Sequence, residues 1–310
     1  MRIAHINNIS GVASLLAEEQ SRLDYQTDVF VFNKKIFKQF GRNQIKYNYR
    51  SPISRWRFFR KLDGYDIWHY HYPYGSLKRS LEKRHLDRIY LKHYHGDDLR
   101  LSGKIDLDFC LVSTPDLLKY TPNGKWLPNP IDLGQINKTV VIKNDLENHI
   151  SRKKGMKRIA HYPYYKNYGA SSIDLYSMVL NNLEKGHKCE VIKIINLSQS
   201  QALKMMSSAD ILLGKIIPEI GWIGKTELEA MALGKPVIAY ISDELYEKYR
   251  PPVYRTTRET LEKDLKDLML DESIQKKLSV EGSAYVKKHH DSTIVSNQVL
   301  EYYYLIKERM

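Results

Sequence analysis

Short apolar runs alternate with stretches of helical periodicity along nearly the whole chain, and this alternation restricts the fold more than any other feature. In the first half, residues 3–6, 27–32, 66–71, 89–95 and 108–113 read as strands. Residues 12–23 and 76–88 between them read as helices. Strands separated by helices are laid down parallel, in doubly wound sheets. The segment 125–132 closes this half, because Pro128 and Pro130 stop regular structure. The polar residues 137–157 read as a connection. The pattern then restarts. Residues 158–162, 190–195, 210–213 and 236–240 read as strands, and 173–183, 200–206 and 226–233 as helices. A long helix, 293–307, follows. The expectation is an α/β protein of two Rossmann-like doubly wound domains, residues 1–137 with the terminal helix 293–310, and residues 138–292.

The chain is long enough for both, at 310 residues. Its two cysteines, Cys110 and Cys189, exclude a disulfide framework and read as small core thiols. No apolar stretch approaches the ~20 residues of a spanning helix, and the first strand is too short for a signal peptide. A cytoplasmic protein, soluble or peripheral on the inner face of a membrane, is expected. The net charge of +13 predicts an anionic partner.

Three strand ends and one loop concentrate groups suited to chemistry. Residues 219–239 run through Gly221-Trp222-Ile223-Gly224-Lys225 into a helix carrying Glu229. A glycine-rich turn and a helix start together offer backbone N–H groups and partial positive charge, which suit a diphosphate. Glu229, expected in the first helical turn, could accept two hydrogen bonds from a ribose diol. A capped helix with a solvated glutamate is the plainer alternative. Gly11 follows the first strand and lets backbone approach a ligand. His93, His95, Asp97 and Asp98 gather where open sheets place their ligands. Lys166 and Gly169 follow the first strand of the second half.

These segments together resemble glycosyltransferase family 4. Leu228-Glu229-Ala230-Met231-Ala232 followed by Gly234-Lys235-Pro236-Val237-Ile238 is similar to the family's donor signature, and the resemblance implies that Glu229 holds the nucleotide ribose. Gly221 stands where the family carries a second glutamate, so the backbone N–H groups of Gly221 and Trp222 are expected to contact the donor. Gly11 matches the family loop over the donor phosphates. His95 matches the histidine that approaches the donor sugar, and Asp98 its positioning aspartate. The arginine and lysine that clamp the diphosphate are reduced here to Lys166, with Lys225 expected to supply the missing charge. Residues 112–116 and 126–132 match scaffold segments. The implied fold is GT-B, two lobes facing a central cleft, with the terminal helix returning to the first lobe. The implied activity is a retaining, metal-independent hexosyltransferase using a UDP- or GDP-linked sugar, with no cofactor and no metal site.

No acidic residue lies between Asp28 and Asp63, whereas Lys34, Lys35, Lys38, Arg42, Arg55, Arg57 and Arg60 do, interleaved with Trp56 and other aromatics. Cations and rings together suit anionic lipid headgroups. The segment is expected to dock the enzyme on a membrane carrying a lipid-linked or surface-glycan acceptor, with no nucleic-acid partner. Two other classes stay open: a sugar-nucleotide epimerase of the same fold, and a non-catalytic basic module for anionic lipid or nucleic acid.

Overall fold

The structure, a computed structural model, describes residues 1–32, 44–48, 51–71, 88–103, 110–146, 156–163, 170–186 and 189–309. It divides into two compact units, 1–130 with 290–310, and 131–289. The division falls at 130/131 and 289/290 rather than at 137/138 and 292/293. The reason is local. Residues 137–146, expected within a polar connection, instead continue a helix, Leu133–Leu146 (α4), which packs within the second unit.

In the first unit the strands are β1 (Arg2–Ile6), β2 (Gln26–Phe32), β3 (Gln44–Tyr47), β4 (Ile67–Tyr70), β5 (Ile89–Tyr94), β6 (Cys110–Val112) and β7 (Lys125–Trp126). They form one parallel sheet in the order β3-β2-β1-β4-β5-β6-β7. The helices are α1 (Val12–Arg22), α2 (Pro52–Leu62), the single turn α3 (Asp97–Arg100) and the C-terminal α11 (Ser292–Arg309). Side chains alternate across a strand, so each face is written in every second residue. On one face Ile3, Ile67, Leu91, Leu111 and Leu127 pack with Val12 and Leu16 of α1 and with Val295, Val299 and Tyr303 of α11. On the other, Ala4, Ile6, Phe30 and Trp68 pack with Phe58 and Leu62 of α2. Phe58 stacks on Tyr47 at 4.1 Å between ring centroids. Helix α2 starts at a Ser51 cap with Pro52 in its first turn, a combination that favours helix initiation.

The second unit holds β8 (Lys157–His161), β9 (Cys189–Lys193), β10 (Ile211–Leu213), β11 (Val237–Ala239) and β12 (Tyr254–Arg255), parallel in the order β12-β11-β10-β8-β9. Its helices are α4, α5 (Ala170–Lys185), α6 (Gln199–Ser208), α7 (Lys225–Ala232), α8 (Asp243–Tyr249), α9 (Leu261–Leu270) and α10 (Glu272–His289). Ile159, Ile211, Leu213 and Ile238 pack against Val179, Leu180 and Leu183 of α5 and Leu261, Leu265 and Leu268 of α9. Cys110 and Cys189 are buried free thiols, as expected, and burial pushes the Cys189 thiol up to about 11.

Both sheets reverse their strand order once, between β1 and β4 and between β8 and β10. In open α/β sheets ligands bind outside the carboxyl ends of strands at such a reversal. The expected helix 76–88 lies outside the described residues up to position 87, and Arg88 precedes β5 as a bend. No described helix is long and apolar enough to cross a membrane.

Candidate functional site

In the second unit the reversal is occupied by the segment from Gly214 to Glu229. The chain leaves β10 at Gly214, whose N–H donates to the Ile238 carbonyl, and passes Lys215 into a turn that ends at Gly224. Glu227, only 2% exposed, pins that loop. Its carboxylate accepts from the Lys215 N–H at 3.0 Å and from the Gly224 N–H at 2.9 Å. A buried carboxylate that caps its own helix and ties down the preceding strand exit is a rigid brace, because both oxygens are engaged.

Glu229 lies one turn further on. It is the fifth residue of α7, not part of the first turn, because the helix begins at Lys225 and the acidic residue of the first turn is Glu227. It is 8% exposed. Gln199 Nε2, at the start of α6, donates to Glu229 Oε1 at 2.7 Å, and Lys225 Nζ stands 4.0 Å from the same carboxylate. Burial raises the Glu229 carboxyl above its usual range, while Lys225 and Gln199 oppose the rise. Burial also lowers the Lys225 ammonium, against the pull of Glu229 and Asp132. Glu229 is thus not a solvated glutamate but one member of a buried charged pair.

Other expected contacts fare differently. The Gly221 N–H donates to the Ile217 carbonyl at 3.0 Å and so closes a turn. Gly221 has φ +66, and a Cβ there would press on Ser242. The Trp222 ring is buried edge-on to Tyr249 at 5.6 Å. Lys166 lies outside the described residues. The sequence reading missed Lys215, whose ammonium sits where a Cβ on Gly224 would be. The signal available was its position directly after β10. It also missed Gln199, whose role depends on α6 meeting α7 in space.

In the first unit the reversal gathers the loop after β1 with the ends of β4 and β5. Asn7, Ser10 and Gly11 all have positive φ, of 70°, 50° and 76°. Such conformations are costly for non-glycine residues and cluster where ligands are met. Asn8 braces the loop, donating from Nδ2 to Ser14 Oγ at 2.8 Å and accepting the Ser14 N–H at 3.2 Å.

His95, partly exposed, follows β5. Asp98 accepts the N–H groups of His95 at 3.0 Å and Gly96 at 2.8 Å. These two bonds fix the turn that carries His95. Burial raises the Asp98 carboxyl, and these two amides pull against it. Arg100 grips Asp116 through Nε at 2.8 Å and Nη2 at 3.0 Å and so holds the turn from below.

The His95 ring belongs to a larger group. His5, His69, His71 and His93 join it from β1, β4 and β5, all on the sheet face that elsewhere packs on α1 and α11. A chain of hydrogen bonds links Gln20 Oε1 to His5 Nε2 (2.9 Å), His5 Nδ1 to His71 Nε2 (3.0 Å) and His71 Nδ1 to His95 Nε2 (3.1 Å). Ser113 Oγ joins His95 Nδ1 (2.8 Å) and His93 Nε2 (3.0 Å). Burial holds His5 down at about 4 and His93 at about 3, and His69 and His71 well below the usual imidazole range, so these rings are neutral at pH 7. The signal was legible as period-two spacing, His69 with His71 and His93 with His95, on strands that turn out to be adjacent.

Of the basic stretch, Arg55, Trp56, Arg57 and Arg60 lie on α2 and are exposed, while Lys34, Lys35, Lys38 and Arg42 lie outside the described residues. Trp56 is 57% and Ile53 66% exposed, and the Arg60 guanidinium lies 5.0 Å from the Trp56 ring centre.

No family model and no characterised protein matches the sequence. Solved structures do. A sucrose-phosphate synthase from Thermosynechococcus elongatus superposes with a TM-score of 0.69 at 14% identity, over 100% of both chains. A glycosyltransferase from Rickettsia africae gives 0.64 at 12% identity over 97% of each. The chain has the GT-B fold. A UDP-GlcNAc 2-epimerase from Neisseria meningitidis, solved with UDP-GlcNAc bound, shares it, with a TM-score of 0.63 at 13% identity over 97% of this chain and 99% of that one. Among the GT-B structures that resemble this chain are thus both transferases and epimerases.

Proposed function

We propose that the chain is a glycosyltransferase that moves a sugar from a nucleoside-diphosphate sugar to an acceptor hydroxyl. The observation that carries this reading is Glu229, a buried carboxylate held by Gln199 and Lys225 at the strand-order reversal of the second unit. A carboxylate there suits a vicinal diol, the ribose of a UDP or GDP donor. Lys225 and Lys215, with Lys166, supply positive charge for the diphosphate. Cations and preorganised dipoles can stabilise the charge that develops on a leaving phosphate, so the reading needs no divalent metal at that position. The C1–O bond to the diphosphate breaks as a C1–O bond to the acceptor forms on the same face of the sugar. The acceptor proton passes to the leaving phosphate oxygen. His95, braced by Asp98, serves the sugar. The exposed cations and Trp56 of α2 suit an anionic membrane surface and favour a lipid-linked or surface-glycan acceptor over nucleic acid.

Calorimetric titration with UDP and GDP tests the donor half. One of them should bind, and Glu229→Ala should weaken it by about 1–3 kcal/mol through loss of charged hydrogen bonds. Absence of binding to either would overturn the reading. An epimerase of the same fold would convert its nucleotide sugar with no acceptor present, so release of nucleoside diphosphate that depends on an added acceptor separates the two activities.

A further inference from the structure

The five-histidine cluster goes beyond what sugar transfer requires, and its hydrogen bonding has a feature that a purely structural network lacks. His71, His93 and His95 each place one ring nitrogen within 4.8 Å of one on each of the others. His71 Nδ1 and His95 Nε2 face each other at 3.1 Å. His93 Nδ1 is buried and makes no hydrogen bond. Three imidazoles thus lie together, two hydrogen-bonded to each other and one with an unpartnered nitrogen.

The outer nitrogens of the same rings are all held. His71 Nε2 meets His5 Nδ1, and His5 Nε2 meets Gln20 Oε1. His95 Nδ1 and His93 Nε2 both meet Ser113 Oγ. One proton assignment satisfies every bond: His5 Nε2–H donates to Gln20 Oε1, His71 Nε2–H to His5 Nδ1, His95 Nε2–H to His71 Nδ1, Ser113 Oγ–H to His95 Nδ1, and His93 Nε2–H to Ser113 Oγ. Moving the His95 proton from Nε2 to Nδ1, with Ser113 Oγ then accepting from both rings, would expose lone pairs on His71 Nδ1 and His95 Nε2 beside the unpartnered Nδ1 of His93. Outer-nitrogen anchoring to an oxygen or a further ring is what fixes the tautomer of metal-binding histidines.

We infer that His71, His93 and His95 form a binding site for one divalent transition-metal ion of the zinc type. Bonds of about 2.0–2.1 Å in a tetrahedron separate ligand nitrogens by roughly 3.3–3.4 Å, so the His71 and His95 rings have to turn until both lone pairs meet one point, and the His93 nitrogen has to close in from within 4.8 Å. Neutral imidazole suits zinc, cobalt, nickel and copper, and three such ligands leave a fourth position open. The Asp98 carboxylate, bonded to the His95 and Gly96 amides, fixes the turn that carries the His95 ring. His95 is the partly exposed member and gives the ion its way in. His5, His69 and His71 make a second possible triad, but all three are fully buried, and it shares His71 with the first. One ion per chain is therefore expected. The site belongs to the first unit, whereas the proposed diphosphate groups belong to the second, and the inference does not depend on the transferase reading.

The test uses the full chain without a histidine tag, stripped with a chelator and titrated with Co²⁺ and then Zn²⁺. One equivalent of cobalt should bind with the visible bands of a tetrahedral nitrogen site, and zinc should displace it. His93→Gln should weaken cobalt at least 100-fold and Ser113→Ala by about 10–100-fold, as loss of an orienting partner does. His69→Gln should leave the bands in place. Failure of the wild-type chain to bind stoichiometric cobalt would overturn the inference, whatever the variants do. So would binding lost in His69→Gln but kept in His93→Gln. Nucleotide titration of the same stripped protein keeps this outcome separate from the donor reading.

Discussion

Gln199 Nε2 donates to Glu229 Oε1 across 2.7 Å, joining the start of α6 to the second turn of α7. With Lys225 4.0 Å away, it keeps a carboxylate in a buried position where desolvation alone would favour the neutral acid. Gln199→Ala should therefore raise the Glu229 carboxyl further. Nucleoside diphosphate affinity in that variant should fall on acidification at a higher pH than in the wild type. Calorimetric titrations at a series of pH values check this, and superimposable profiles would count against it.

Lys225→Met removes the nearest cation from Glu229 and one positive charge from the proposed diphosphate site. Affinity for UDP or GDP should fall at least tenfold, and its dependence on salt should weaken, because fewer charges are then screened. Affinity for the nucleoside alone should change much less. An equal loss for nucleoside and diphosphate would place Lys225 elsewhere than against phosphate.

The buried histidines make acid the natural denaturant. Their folded-state values lie below 6.5, so below that pH the unfolded chain takes up protons that the folded chain refuses. Stability is fully present above pH 6.5 and declines as pH falls from there toward 4 and 3, the values of His5 and His93. Each such ring contributes about 1.4 kcal/mol per pH unit across that window. Urea denaturation with chelator present should show the decline, and His93→Gln should flatten it. A midpoint that does not move between pH 8 and pH 5 would contradict the burial of these rings.

Asp98 accepts two amides that fix the His95–Gly96 turn. Asp98→Ala removes the acceptor of both amides and should cost about 1.5–3 kcal/mol of stability, the worth of hydrogen bonds to a charged group. Sugar transfer should fall more than tenfold through a misplaced His95, with nucleotide affinity unchanged. The two assays run on one preparation decide it.

The exposed face of α2 predicts membrane binding that salt weakens. Replacing Arg55, Arg57 and Arg60 with glutamate should abolish co-sedimentation with vesicles of phosphatidylserine and phosphatidylcholine at low salt. Trp56→Ala should reduce it without changing its salt dependence. If the wild-type chain ignores such vesicles, the docking role of α2 is dead.

Much of this architecture was legible because β1, β2, β4 and β5 are dense apolar runs, and because α7 is followed by Gly234 and Pro236 at a helix-to-strand turn. The edge strand β3 was not, since Gln44-Ile45-Lys46-Tyr47 alternates weakly inside a basic stretch. Helix α9 carries Leu261, Leu265 and Leu268 on one face, a readable period that the motif-centred reading passed over. At the site, Glu229, His95 and Asp98 could be named from local pattern. Gln199 could not, and the histidines were legible only as paired spacings, because which side chains meet depends on which elements become neighbours. Only the pairing of β1, β4 and β5 brings five rings spread over residues 5–95 together. The commitment of the Gly221 amide to Ile217 is likewise a property of the folded turn.

Helix α11 closes one face of the first unit, covering Ile3, Leu91 and Leu111, yet it is separated from the rest of that unit by the whole of the second. On the ribosome the first sheet therefore waits, one apolar side covered by α1 alone, while residues 131–289 are made. A chain released before α11 emerges would present that side to chaperones or to other nascent copies. Loss of α11 should thus lower the yield of folded chain more than a single substitution at Glu229 does.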